Sequence, residues 1–305
     1  MKCTNGRTAK SILGDCLSLR RHERCLVLCD EFCVDIGKQF WDVARTLCRE
    51  AVMVVQSELR KDDFQTAPSV QSWIGQFDTA LVFSRGNIRE VELCLGGEER
   101  NTRIALFPNA TEENFFDVLA ADWVKLGVFT RKCAALLGAA GKIRVKTEDG
   151  TDLVLDSSGK APSIRDGRIS SAGMVGTFPA GMARIMVNSG SAQGRLAVKG
   201  PAMELSLVEI RDGRAKQVIS SDNDPGLDKF IKGRQSWRIL TRFGVGTLDT
   251  VAFNPQNPDL RARGVVHFEF GIHNEQIKNP VHRFTLENAD VWLDNRLWIE
   301  RGDYV

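Results

Sequence analysis

Apolar and polar positions follow different rhythms in the two halves of this chain. In the first half, short unbroken apolar runs alternate with stretches of helical spacing. Cys25-Leu26-Val27-Leu28-Cys29-Asp30 is such a run closing on an acid, the pattern of a central parallel strand. Phe40, Val43, Ala44, Leu47 and Ala51 then recur at three- and four-residue intervals, which predicts an amphipathic helix. Ala51-Val52-Met53-Val54-Val55, Ala80-Leu81-Val82-Phe83-Ser84 and Arg103-Ile104-Ala105-Leu106-Phe107-Pro108 predict three more strands. Helical stretches are expected near 87–95 and 111–126, the second behind an N-cap at Thr111 with the acid-rich turn Glu112-Glu113-Asn114. This alternation predicts an α/β domain with an open parallel sheet, Rossmann-like, over residues 1–138.

Past the small-residue stretch Leu136-Leu137-Gly138-Ala139-Ala140-Gly141 the period shortens to two. Ile143-Arg144-Val145-Lys146-Thr147 and Asp152-Leu153-Val154-Leu155-Asp156 alternate across Glu148-Asp149-Gly150, a hairpin signature. Strands are expected at 184–187, 204–210, 264–270 and 290–293, turns at Asp166-Gly167 and Asp212-Gly213, and one helix over 228–238. Residues 139–305 therefore read as a β-rich α+β domain.

Composition narrows the function classes. A 43% hydrophobic, 26% charged chain of 305 residues can bury two ordinary cores. A net charge of +2 gives no electrostatic reason to expect nucleic acid or an anionic membrane as partner. No apolar run is long enough to span a bilayer, and the polar start Met1-Lys2-Cys3-Thr4 lacks the apolar core of a signal peptide, so a cytoplasmic protein is expected. All eight cysteines (Cys3, Cys16, Cys25, Cys29, Cys33, Cys48, Cys94 and Cys133) lie in the first half. The spacing of Cys25, Cys29 and Cys33 admits a metal, but two of them sit in an apolar strand, which favours buried reduced thiols. No G-x-G-x-x-G or G-x-x-x-x-G-K-[ST] loop follows any strand, so nucleotide binding has no support, and no G-x-S-x-G elbow supports serine catalysis.

Three of the four histidines, His267, His273 and His282, fall close together near the C-terminus, with Glu269, Glu275 and Glu287 as neighbouring acids. Clustered imidazoles are a site signal. On a strand His267 and Glu269 would share a face. Trp292 and Trp298 are expected to pack in the last strand pair, and Arg261 and Arg263 to form a solvated loop edge.

Five segments over 143–305 resemble, in order, the C-terminal domain of the thermophilic metallo-aminopeptidases (aminopeptidase T and S) and of their 2,5-dihydroxypyridine dioxygenase relatives. Gly150-Thr151-Asp152-Leu153-Val154-Leu155 with Asp166-Gly167 resembles the opening hairpin. Phe178-Pro179-Ala180-Gly181-Met182 resembles Leu-Pro-Ala-Gly-Glu, and Phe243-Gly244-Val245-Gly246-Thr247 resembles Glu-Leu-Gly-Ile-Gly-Thr-Asn. Val266-His267-Phe268-Glu269-Phe270-Gly271 resembles the His-Ile-Ala-Phe-Gly strand, and Asn279-Pro280-Val281-His282-Arg283-Phe284 the closing Ser-x-x-His-x-Asp. The resemblance implies a cleft in which glutamates, histidines and an aspartate bind metal. Carried over position by position, the two glutamates are Met182 and Arg242, the histidines are His267 and His282, and the aspartate is Phe284.

Both imidazoles are kept and all three carboxylates are lost. Divalent cations are held by anionic donors, and a guanidinium beside neutral imidazoles opposes them. The expectation is therefore no catalytic residue, no cofactor and no metal, with Met182, Arg242, His267, His282 and Phe284 lining a former metal site that serves as a ligand pocket. The resemblance extends to the crocagin-type accessory proteins of pathways for ribosomally made, modified peptides. It implies a non-catalytic protein that binds a precursor peptide or other peptide, as a homodimer or with a homologous subunit. Two alternatives stay open: a metal-dependent aminopeptidase or iron(II) ring-cleaving dioxygenase with rearranged ligands, and a purely structural subunit.

Overall fold

The computed structural model describes residues 2–56, 73–86, 101–110, 115–199, 204–220, 225–254, 258–271 and 281–305. In chain order the elements are α1 (Lys2–Ser11), β1 (Arg24–Asp30), α2 (Val34–Leu47), β2 (Glu50–Gln56), β3 (Thr79–Ser84), β4 (Arg103–Pro108), α3 (Phe115–Val118) and α4 (Trp123–Ala139). Then come β5 (Lys142–Lys146), β6 (Asp152–Asp156), β7 (Pro162–Arg165), β8 (Val175–Thr177), β9 (Met182–Met186), β10 (Gln193–Lys199), β11 (Leu205–Arg211) and β12 (Arg214–Ser220). Last are α5 (Pro225–Lys232), β13 (Leu240–Gly246), β14 (Val266–Phe270), β15 (His282–Leu286), β16 (Asp290–Leu293), β17 (Arg296–Glu300) and β18 (Asp303–Tyr304). Among the described residues no helix is long and apolar enough to cross a membrane.

The chain divides into two compact units, Met1–Gly127 with Arg165–Ala180, and Val128–Ile164 with Gly181–Val305. This differs from a single break at 138. The small-residue stretch Leu136 to Gly141 closes α4 and leads into β5 within the second unit, and 165–180 return to the first unit to supply β8. Such a return leaves no compositional mark, because a three-residue strand is too short to show a period. The helix expected over 111–126 is α3 and the start of α4; Thr111 and the stretch 87–95 lie outside the described residues. The helix expected over 228–238 is α5 followed by a 3₁₀ turn, Gln235–Arg238.

The first unit holds a parallel sheet of order β2-β1-β3-β4-β8. Every position of β3, and all of β1 after Arg24, is buried, which is why these strands read as continuous apolar runs. Phe40 of α2 packs on Phe83 and Phe107 at 4.9 and 5.5 Å, and those two rings stack at 4.5 Å across paired strands. At the carboxyl ends of β1 and β3, where such sheets commonly bind ligands, Asp30 accepts from the backbone N–H groups of Phe32 and Arg85. Both carboxylate oxygens thus brace backbone. Cys16, Cys25, Cys29, Cys33 and Cys133 are buried free thiols. Burial pushes Cys29 and Cys133 up to about 11, so neither is a nucleophile at neutral pH.

The second unit is a sandwich of two sheets, β12-β11-β10-β6-β5-β16-β17-β18 and β15-β14-β13-β9-β7. One core joins them: Val145, Leu153, Leu196 and Val291 from the first sheet meet Ile185, Phe243, Phe268 and Phe270 from the second. Trp298 is buried as expected. Arg263 is exposed, as expected of a solvated loop edge, and its guanidinium lies over the rings of Phe129 and Tyr304 at 4.4 and 5.3 Å. Gly194 has φ +132°, and a Cβ there would run into the Asp152 carbonyl oxygen of the paired strand. Gly194→Ala is expected to cost about 1–3 kcal/mol in denaturant titration, and an unchanged midpoint would show that β10 and β6 can separate freely.

Candidate functional site

Every position of β14 is buried, yet its two faces differ in kind. Val266, Phe268 and Phe270 enter the apolar core of the sandwich, while His267 and Glu269 project to the other side of the sheet. The strand registers show what accompanies them. His267 stands opposite Gly244 on β13 and Thr285 on β15, and Gly244 stands opposite Arg184 on β9. Glu269 stands opposite Arg242 on β13 and Arg283 on β15.

Three guanidiniums converge on the Glu269 carboxylate. Arg283 Nε and Arg184 Nη1 lie 3.2 and 3.4 Å from Oε1, and Arg242 Nη1 lies 3.3 Å from Oε2. Burial alone would push this carboxyl up; Arg184, Arg283 and Arg242 outweigh it and hold it down at about 2, with His267 contributing only once acid protonates it. Glu269 is therefore ionised at neutral pH, and these four described side chains together carry a net charge of about +2.

His267 is fully buried, and among the described residues neither ring nitrogen has a hydrogen-bond partner. Its ring fills the space that a side chain at position 244 would need: a Cβ on Gly244 would collide with the imidazole and with Arg184 Cγ. Burial pushes its pKa down to about 3, with Arg184 and Arg283 adding to the fall and Glu269 opposing it. The imidazole is neutral, and it contributes no charge to the cluster.

The five residues expected to line one pocket are not brought together. Met182, Arg242 and His267 share the face just described, by the alternation of β9, β13 and β14. His282 and Phe284 stand opposite Phe270 and Phe268, on the face that joins the core. There the His282 ring lies 4.8 Å from Phe230 and 5.9 Å from Trp237, and Phe284 lies 5.4 Å from Phe230. Burial lowers the His282 pKa. The physical reason is strand parity. Residues 282 and 284 are one step out of phase with His267, so Arg283 and Thr285 occupy the matching positions. Arg184 and Arg283 were absent from the sequence-derived set, although the same parity, applied to each motif, selects both. His273 and Glu275 lie outside the described residues.

The described residues of this face do not make a donor set for a divalent cation. Such an ion needs several anionic oxygens or a cluster of imidazoles. Here Glu269 is engaged by three guanidiniums beside one imidazole. Among the described residues no three His, Cys, Asp or Glu side chains are grouped so as to hold a metal.

No protein-family model matches the chain. No curated protein sequence matches it either. Solved structures do. The 2,5-dihydroxypyridine dioxygenase of Pseudomonas putida KT2440 superposes with a TM-score of 0.75 at 16% identity, covering 100% of this chain and 98% of that one. Wild-type AmpT of Thermus thermophilus superposes with a TM-score of 0.67 at 13% identity, covering 100% and 99%. The two-part fold is thus shared over the whole length with both, at identities that speak for the fold alone.

Proposed function

We propose that this chain is a non-catalytic peptide-binding accessory protein, of the kind that holds a precursor peptide while other proteins modify it. One observation carries the reading: the sheet face bearing His267 holds three arginines on a single carboxylate. A cluster of that composition repels a divalent cation and attracts a carboxylate. Arg242 and Arg283 keep roughly a third of their side chains exposed, so a peptide carboxylate can reach them without unfolding the cluster. His267, neutral and buried beneath, supplies neither charge nor an accessible base.

Two measurements test this. After incubation with zinc, iron(II) or cobalt and desalting, elemental analysis is expected to find well under one equivalent of metal. Calorimetric titration with a pool of synthetic peptides is expected to show saturable binding that weakens with salt, because exposed charges are screened. One equivalent of metal that is lost in His267→Ala would overturn the reading in favour of an enzyme with rearranged ligands. Absence of binding by every peptide would overturn it in favour of a structural subunit.

A further inference from the structure

Arg184, Arg242, Arg283 and Glu269 together leave an excess of about two positive charges on one patch of sheet. Such an excess opposes the compact state through self-repulsion until a counter-charge arrives. His267 lies on the same face, fully buried, and among the described residues both its ring nitrogens lack a partner. Buried polar groups without partners are uncommon in folded proteins and call for an explanation. Neither feature serves the core of the sandwich, which lies on the opposite face. Local costs of this kind gather where a protein meets a ligand.

Arg242 and Arg283 are the groups that a ligand can reach. Their side chains are 31% and 36% exposed, against 16% for Arg184. Arg242 Nη1 meets Oε2 of Glu269 and Arg283 Nε meets Oε1, so two guanidiniums flank one carboxylate from the strands on either side of it. Arg242 Nε is turned to Met186 Sδ at 3.1 Å. Beyond these contacts and among the described residues, no partner stands at Nη2 of Arg242 or at the terminal nitrogens of Arg283. Glu269 thus fixes two planar forks and leaves N–H groups of both unpaired.

A single carboxylate cancels one of the two charges and offers two oxygens. A phosphoryl dianion cancels both and offers three, so one group can bridge two guanidiniums. We propose, resting on the reading above that this face meets the peptide, that its ligand presents a phosphoryl group, which Arg242 and Arg283 bind together. Arginine clusters recognise phosphorylated segments in this way. The group arrives on a phosphorylated side chain of the peptide or as free phosphate, and the test separates the two sources.

The test uses the full chain, inorganic phosphate, and labelled peptides of one neutral sequence that differ at a single site, followed by fluorescence anisotropy. That site holds serine, phosphoserine, glutamate or a pair of glutamates. The phosphoserine peptide is expected to bind about tenfold or more tightly than the serine and glutamate peptides, the scale of an added charge-assisted contact. Inorganic phosphate should displace it. Lowering the pH from about 7.5 to about 5 returns a proton to the phosphoryl group, whose second pKa is about 6, and should weaken the phosphoserine peptide several-fold more than the glutamate peptide. This readout needs no substitution. Arg242→Gln and Arg283→Gln, checked for fold by their melting curves, should each remove most of the preference for phosphoserine. Equal affinity for phosphoserine and glutamate overturns the phosphoryl site while peptide binding as such stands. A glutamate pair that matches phosphoserine overturns it in favour of two carboxylates. Inorganic phosphate that binds where no peptide does keeps the site, with free phosphate as its ligand, and the peptide reading falls alone. If neither phosphate nor any peptide binds, both fall.

Discussion

Glu269→Ala is expected to destabilise the β-rich unit by about 3–5 kcal/mol, the range for removing one partner of a buried ion pair. Glu269 is 2% exposed and pairs with Arg184, Arg242 and Arg283. Removing it leaves three guanidiniums facing one another across β9, β13 and β15. Arg242 and Arg283 can turn toward water, whereas Arg184, more deeply set, must keep its charge near theirs. Glu269→Gln keeps the shape and removes only the charge, so a loss of similar size there would assign the effect to electrostatics and not to a cavity. Denaturant midpoints at constant slope provide the measurement. A loss below about 1 kcal/mol in both variants, the range of an exposed pair, would show that the arginines do not depend on this carboxylate.

Acid should weaken the fold well before carboxylates titrate, through His267. In the unfolded chain its imidazole takes up a proton near its ordinary value of 6.5, whereas burial holds it near 3 in the fold. Between these two values the unfolded state binds more protons, so stability falls as pH falls. The full depression corresponds to about 5 kcal/mol at about 1.4 kcal/mol per pH unit, of which about 2 kcal/mol is lost between pH 7 and pH 5. Glu269 adds to the acid loss only at lower pH, from its ordinary 4.5 down to about 2, where its carboxylate becomes protonated in the fold. The two groups are therefore separable. His267→Gln should flatten the dependence between pH 7 and 5, leaving the smaller part due to His282, whose pKa burial also lowers. A slope unchanged in His267→Gln would mean that the imidazole is protonated inside the fold.

Much of the architecture was legible in the pattern of apolar positions. Four of the five strands of the parallel sheet, β1 to β4, were predicted to within a residue or two, because strands buried inside a parallel sheet are uninterrupted apolar runs. The hairpin β5–β6 was equally plain, with Gly150 at positive φ in its turn. Less visible were β7, β8, β10, β12, β13, β15, β17 and β18, several of them short, polar at the edges or shifted in register, as β11–β12, β13–β14 and β16–β17 are by bulges. The site was legible in part. His267 and Glu269 on one face followed from period two, and Arg242 and Met182 belong to that same face. The pairing of His282 and Phe284 with them failed because matching a motif fixes residue order, whereas a face is fixed by parity.

By itself the sequence determined the class of each half and the buried thiols of the first parallel strand. These depend on which residue types occur and at what period, and neighbours in the chain carry that information. Only the tertiary structure decided that Arg184, Arg242 and Arg283, about a hundred residues apart at the extremes, share one carboxylate. It also decided that His267 lies in the space left by Gly244. Both are cross-strand relations, set when sheet registers are fixed by the burial of the opposite face. A single chain written in a line contains the residues but not the register that joins them.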